Sequence, residues 1–161
     1  MHYLLSFVIV VVDQISKQYM ERLLDLCEPG HCQSIFLLPV FELALVHNEG
    51  AAFSFLSDAG GWQRWFLALV SLIASGFIGY WIFQVRRKEV WLGWSLALIL
   101  GGAVGNLVDR VGWGYVIDFV IVHYQHYYFP AFNVADAAIS VGAAMLLLDF
   151  FVNMKGRADD S

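Results

Sequence analysis

Residues 101–142 hold three carboxylates (Asp109, Asp118, Asp136), one arginine (Arg110) and two asparagines (Asn106, Asn133), set between two long apolar runs. Charged groups at the edge of hydrocarbon are expensive, and by default they mark a functional site. Two carboxylates brought together in partly dry surroundings do not both ionise comfortably, so one keeps its proton near neutral pH. The ionised member can take a proton from water while the protonated one donates to a carbonyl oxygen. Such a pair is the minimum apparatus for cleaving an amide with no metal, cofactor or covalent nucleophile. Asp118 and Asp136 are the candidates for it.

Plainer readings fit the same residues. Asn133-x-x-Asp136 has the spacing of a helix N-cap with a capping-box partner. Asp109-Arg110 fits a local ion pair at a helix end. Asp118 has no capping role: it interrupts Tyr115-Val116-Ile117-Asp118-Phe119-Val120-Ile121-Val122, a β-branched run that otherwise reads as a strand. The clustering of these groups on one side favours a site over separate structural roles.

The elements that must position them belong to a membrane protein. The 161 residues are 60% hydrophobic and only 14% charged, whereas a soluble domain is about 45–50% apolar and about 25% charged. One soluble core of this size cannot hide so much apolar surface, so the bilayer is the expected solvent. A net charge of -5 without a basic run argues against nucleic acid as a partner. We expect one mainly α membrane domain over 1–161, with transmembrane helices at about 3–20, 62–83, 91–108 and 135–154. Loops 21–61 and 109–134 would share one face. The first helix reads as uncleaved, since neither a basic start nor a small-residue cleavage site accompanies it. Within it Asp13 and Lys17 stand four apart and can pair on one helix face. Ser71, Ala74, Ser75, Gly76 and Gly79 suit the second helix to close packing.

In the first loop, Ser34 to Val46 is β-prone, and Pro39 and Glu42 argue against a span there. A small extramembrane sheet capping the bundle is the expectation. Asn48-Glu49-Gly50, which follows, fits either a hairpin turn or a small-residue approach to a ligand. Of the nine Lys and Arg, Arg86, Arg87, Lys88, Lys155 and Arg157 fall in the second loop and the C-terminal tail. The positive-inside rule then puts both termini in the cytoplasm and the sheet outside. The six tryptophans fall at or just beyond helix ends, as an interfacial aromatic belt requires.

Other chemistry is less well supported. Cys27 and Cys32 flank a turn-forming sequence, and a small disulfide and two free thiols stay equally open. A metal site from Cys27, His31 and Cys32 lacks a fourth ligand. Gly93-Trp94-Ser95-Leu96-Ala97 looks like a nucleophile elbow, but the histidines lie across the membrane from Ser95. His123 and His126 share ligand spacing only if helical, whereas on a strand they point apart. From another function class, a small membrane transporter or proton-relay subunit would also keep acids near the membrane, though near its midplane and along a pathway. A structural scaffold would have no need of the Asn and Asp set.

Five motifs in order make the chain resemble the bacterial lipoprotein signal peptidases (signal peptidase II), a family of membrane aspartic peptidases. They are Asp13-Gln14-Ile15-Ser16-Lys17, Asn48-Glu49-Gly50-Ala51-Ala52-Phe53-Ser54, Gly105-Asn106-Leu107-Val108-Asp109-Arg110, Val116-Ile117-Asp118-Phe119 and Phe132-Asn133-Val134-Ala135-Asp136. The resemblance implies that Asp118 and Asp136 are the catalytic dyad. It implies that Asn48, Gly50, Asn106, Arg110 and Asn133 line the substrate site, supported by Asp13, Lys17 and Asp109. It further implies a bacterial inner-membrane location with the site near the periplasmic face, beside a β-cradle. The substrate would be a prolipoprotein carrying diacylglycerol on its lipobox cysteine, cut just before that cysteine. Membrane lipid as a partner and inhibition by the cyclic peptide globomycin are expected on the same ground. The Cys27/Cys32 pair is not part of the family's pattern.

Overall fold

The computed structural model describes residues 1–28, 32–50, 61–85 and 89–159, with side chains up to residue 152. Among them are four long helices, α1 (His2–Leu23), α2 (Trp62–Val85), α3 (Val90–Gly112) and α4 (Val134–Asp159). Four strands, β1 (Ser34–Leu38), β2 (Phe41–Asn48), β3 (Val116–Tyr124) and β4 (Tyr127–Tyr128), form one antiparallel sheet in the order β1-β2-β3-β4. The Asp118 run is therefore a strand in spite of its acid.

Three helices, α2, α3 and α4, are long and apolar enough to cross a membrane, with mean hydropathies of 2.0, 1.5 and 1.8 over their most apolar stretches. At 22 residues, α1 spans ~33 Å, which is sufficient in length. Asp13, Gln14, Lys17 and Gln18 dilute its apolar content. Only 17% of the α2 stretch and 11% of the α4 stretch is buried, against 44% for α3. Thus α3 is the central helix, and the others turn apolar side chains such as Phe77, Leu147 and Phe151 outward. Trp62, Trp65, Trp81, Trp91 and Trp113 are exposed near helix ends, while Trp94 packs edge-on against His2 with 4.7 Å between centroids.

Long-range hydrogen bonds give the helix directions. Tyr3 Oη donates to the Gly79 carbonyl, Arg64 reaches the carbonyls of Arg110 and Val111, and Trp91 Nε1 donates to the Met145 carbonyl. Hence α1 and α3 run one way and α2 and α4 the other. The sheet stands where α3 ends and α4 begins. An apolar cluster of Leu24, Leu45 and Ile117 seats it on the end of α1.

Close helix approach is made by α3 rather than by α2. A β-carbon at Gly105 would lie 2.7 Å from Asp13 Oδ2, and one at Gly102 would collide with the Ala135 carbonyl. The space where β-carbons of Gly76 and Gly79 would stand is open, so the expected tight packing does not occur at these two glycines, while Ser75 of the same stripe is buried. A second correction concerns Asn48-Glu49-Gly50, which is not a hairpin turn. The tight reversal falls at Pro39-Val40 between β1 and β2, and β2 ends at Asn48 with β3 already paired along it. Ala51, Ala52, Phe53 and Ser54 lie outside the described residues, as do His31, Arg86, Arg87 and Lys88. Cys27 and Cys32 form a disulfide, which settles the choice the sequence left open.

Candidate active site

The first turn of α4 supplies half of the site. Asn133 Oδ1 accepts the Asp136 N–H at 2.9 Å, and Asp136 Oδ2 accepts the Asn133 N–H at 3.3 Å. This reciprocal pair is a capping box, satisfying two N–H groups that a helix start leaves without partners. The capping reading is therefore correct, and it does not exhaust these residues. The second oxygen of Asp136 accepts from Asn106 Nδ2 at 2.7 Å. Asn133 Nδ2 reaches Asp118 Oδ1, also at 2.7 Å.

Asp118 comes from β3, opposite Val46 of β2. Its Oδ2 accepts from Asn48 Nδ2 at 3.0 Å, so neutral amides hold both of its oxygens. Burial raises its pKa and the neighbouring charge of Asp136 raises it further, against the bonds from Asn48 and Asn133 and the charge of Lys17. The carboxyl is pushed up to about 7. Asp118 therefore keeps a proton at a pH where an ordinary carboxyl has lost it.

Beneath the two acids, Lys17 directs its ammonium at three oxygens: Asp13 Oδ2 and Asp109 Oδ2, each at 2.8 Å, and Asn106 Oδ1 at 2.9 Å. Three donors meet three acceptors, which lets a lysine sit only 1% exposed. Because an ammonium cannot accept, Asn106 must turn its carbonyl toward Lys17. Its amide then points at Asp136. Asp13 Oδ1 meanwhile accepts the Ala135 N–H at 2.9 Å, tying α1 to the start of α4. Asp109 does not pair with Arg110, since successive helix residues point apart. It also accepts the Ile117 N–H at 3.2 Å, fixing where β3 begins relative to α3.

Arg110 lines the cleft and donates to the Gly50 carbonyl at 3.3 Å. Gly50 in turn donates its N–H to Asn48 Oδ1 at 3.1 Å. The cleft is about 1120 Å³ and takes in Asn48, Asn106, Arg110, Asp118 and Asp136. Apolar side chains line it as well, among them Phe129 and Phe132 ahead of α4 and Ile139 and Val141 on α4.

The structure thus brings together at one end of the bundle every residue singled out from the sequence as catalytic, substrate-lining or supporting. It adds Gln14, which donates to Asp109 Oδ1 at 2.7 Å and to the Gly105 carbonyl at 3.2 Å. The signal for Gln14 was its place between Asp13 and Lys17. Arg64 is another addition, holding two carbonyls at the end of α3 at 2.8 and 2.7 Å. Ser95 stays out of the chemistry, fully buried and donating to the Trp91 carbonyl. His126 sits in the β3–β4 turn, and His123 stacks on Tyr128. Among the described residues no cluster of His, Cys, Asp and Glu could hold a metal ion.

Apolar helices surround a buried polar cluster and are capped by a small sheet, the architecture of a membrane protein. Two solved bacterial membrane enzymes share it, with TM-scores of 0.81 and 0.75 at 23% and 24% identity, covering 96% and 92% of this chain and 90% and 91% of theirs. The signal peptidase (SPase) II family matches residues 5–152. A lipoprotein signal peptidase of Pseudomonas syringae pv. tomato is 52% identical over 94% of this chain and 86% of its own length. Proteins of the same name from Pseudomonas fluorescens and Cellvibrio japonicus are each 50% identical over 94% of this chain, covering 87% and 86% of their lengths. The chain belongs to the signal peptidase II family of membrane proteases.

Proposed function

We propose that this protein removes signal peptides from prolipoproteins whose lipobox cysteine carries diacylglycerol, cutting the peptide bond just before that cysteine. The carrying observation is that Asp118 and Asp136 face one cleft with each carboxyl oxygen held by an amide. Asp118 holds the pair's proton and Asp136 is the base. A water between them gives a proton to Asp136 as its oxygen attacks the scissile carbonyl, and Asp118 protonates the developing oxyanion. Collapse of the tetrahedral intermediate returns a proton to the leaving amine. Asn133 is fully buried and Asn106 and Asn48 are committed to the acids, so these asparagines orient the pair. Arg110, with further N–H donors beyond its bond to the Gly50 carbonyl, lines the cleft and can meet substrate backbone, and globomycin-type cyclic peptides would compete there. The apolar lining from Phe129, Phe132, Ile139 and Val141 suits the lipid chains.

Four spans with the sheet on the outer side of a bacterial inner membrane complete the reading. The basic residues at the α2–α3 junction and in the last turns of α4 belong, in sequence, to the opposite end. The disulfide lies at the sheet end, and disulfides persist in oxidising compartments. Convergence of the acids on one end favours hydrolysis over an ion pathway. The test is cleavage of one precursor with and without its diacylglyceryl group, with the cut located by mass spectrometry. We expect cleavage before the cysteine in the lipidated form alone; equal cleavage of the unmodified peptide overturns the substrate assignment.

A further inference from the structure

The disulfide lies where β2 is least supported by its neighbour on the catalytic side. Pairing of β2 with β3 is interrupted between Leu43 and Val46, so Ala44 and Leu45 lack regular partners there. Both are buried, at 0% and 3% exposure. The segments flanking the disulfide hold this stretch from the β1 side of β2. Leu26 bridges to Leu45 in parallel, the Cys27 N–H donates to the Leu45 carbonyl at 2.9 Å, and Ser34, just beyond Cys32, pairs with Ala44. The Asp25 N–H bonds Gln33 Oε1 at 3.2 Å, drawing the same two segments together. Immediately after this clamp, Val46 faces Asp118 across the ladder and Asn48 donates to it.

We propose that Cys27 and Cys32 are an oxidative modification site: the chain is a client of a thiol–disulfide oxidant on the outer side of the membrane, and the bond so formed seats β2 for catalysis. The inference rests on the reading of Asp118 and Asp136 as the reacting pair. One cysteine thiolate attacks the oxidant's disulfide, forming a mixed disulfide and expelling one oxidant thiolate. The second cysteine thiolate then displaces the other oxidant sulfur. Two electrons pass to the oxidant, which leaves as a dithiol carrying the two protons. With the bond open, the two segments keep no covalent link but the intervening chain, with the exposed Asp25–Gln33 hydrogen bond beside it, and the clamp on Ala44 and Leu45 loosens. Asn48 then spends less time on Asp118.

The experiment uses the full chain in lipid nanodiscs, oxidised as isolated from cells, reduced, and reduced then re-oxidised, with Cys27→Ser/Cys32→Ser alongside. A maleimide-polyethylene glycol probe reports free thiols, and a lipidated precursor peptide reports turnover. The protein isolated from cells takes no probe until reduced. Reduction lowers kcat/KM roughly tenfold, re-oxidation restores it, and the double variant behaves as the reduced form and ignores reductant. The pH profile separates positioning from simple loss of folded protein. Facing Asp118 are Asp136 from α4, Lys17 from α1 and Arg110 from α3, with Asn48 and Asn133 as neutral donors. Loss of the Asn48 bond lets the Asp118 carboxyl rise, so the high-pH limb of the reduced enzyme moves upward. Free thiols in protein from cells, or identical rates and profiles in the two redox states, overturn the proposal. If the double variant does not fold, reversible reduction of the wild-type chain decides. Failure of the oxidised wild type to cleave at all would instead count against the catalytic reading itself.

Discussion

Asn133 Nδ2 stands 2.7 Å from Asp118 Oδ1, while the backbone N–H of the same asparagine bonds Asp136. One fully buried residue therefore fixes a strand carboxyl and a helix carboxyl with respect to each other. The helix cap and the spacing of the two acids are a single device. Anything that disturbs the cap also moves the pair.

Asn133→Ala tests this coupling. The variant loses a helix cap, costing about 1 kcal/mol, and takes the Nδ2 bond from Asp118 while its backbone N–H still meets Asp136, so the two acids lose their common fixing point. Displacement of reacting groups by about 1 Å costs on the order of 10²-fold in rate. We expect kcat to fall by that order while thermal unfolding in detergent shifts little. A full-speed Asn133→Ala enzyme would separate the cap from the chemistry.

Lys17→Met leaves Asp13 and Asp109 buried without their cation. Removing one partner of a buried ion pair costs about 3–5 kcal/mol, and differential scanning fluorimetry should show the loss. Replacing the acids as well, in Asp13→Asn/Lys17→Met/Asp109→Asn, should recover most of the stability. Activity should stay low, because the Asn106 carbonyl has lost the donor that aims its amide at Asp136. Recovery of both together would make Lys17 purely structural.

The pH dependence follows from Asp118, pushed up to about 7. This group acts protonated, so its contribution is full below that pH and is lost as pH rises through it. The kcat/KM profile should fall on its high-pH side near 7. The Asn48 bond favours the ionised form and holds the pKa down. Asn48→Ala should therefore slow the enzyme and move that limb upward. A limb moving downward would contradict the bond's assigned effect.

Arg64→Ala removes the guanidinium from the carbonyls of Arg110 and Val111. Hydrogen bonds from a charged donor contribute roughly 1.5–3 kcal/mol, so a stability loss of that size is expected in equilibrium unfolding. Lysine should restore it only in part, since its point charge lacks the planar fork that spans two carbonyls. Full rescue by Arg64→Lys would show that charge alone suffices there.

Much of this site was legible in the sequence because its acids sit at abrupt changes of pattern. Asp118 breaks a β-branched run, and Asn133 with Asp136 precede an apolar helix. Both signals are local. What the sequence left open depended on side-chain direction or on contacts between distant segments. Asp109 and Arg110 are neighbours in the chain, yet the helix turns one to Lys17 and the other into the cleft. Gly76 and Gly79 have the composition of a packing stripe but leave open space where a β-carbon would stand, whereas at Gly102 and Gly105 a neighbour fills it. The hairpin fell at Pro39-Val40 rather than at Asn48-Glu49-Gly50 because the strand after β2 in the sheet is β3, some seventy residues later in the chain. No short-range turn signal carries that pairing.

Replacing Asp118 or Asp136 by asparagine in pure protein, and following cleavage of a diacylglyceryl-modified precursor, tests the central claim most directly. Each substitution keeps size and one acceptor oxygen but removes the titrating carboxyl, turning one acceptor into a donor toward the N–H it met. Single variants should lose at least about 10³-fold in kcat, with precursor binding and membrane insertion retained. Turnover near the wild-type rate in either properly inserted variant would contradict the account.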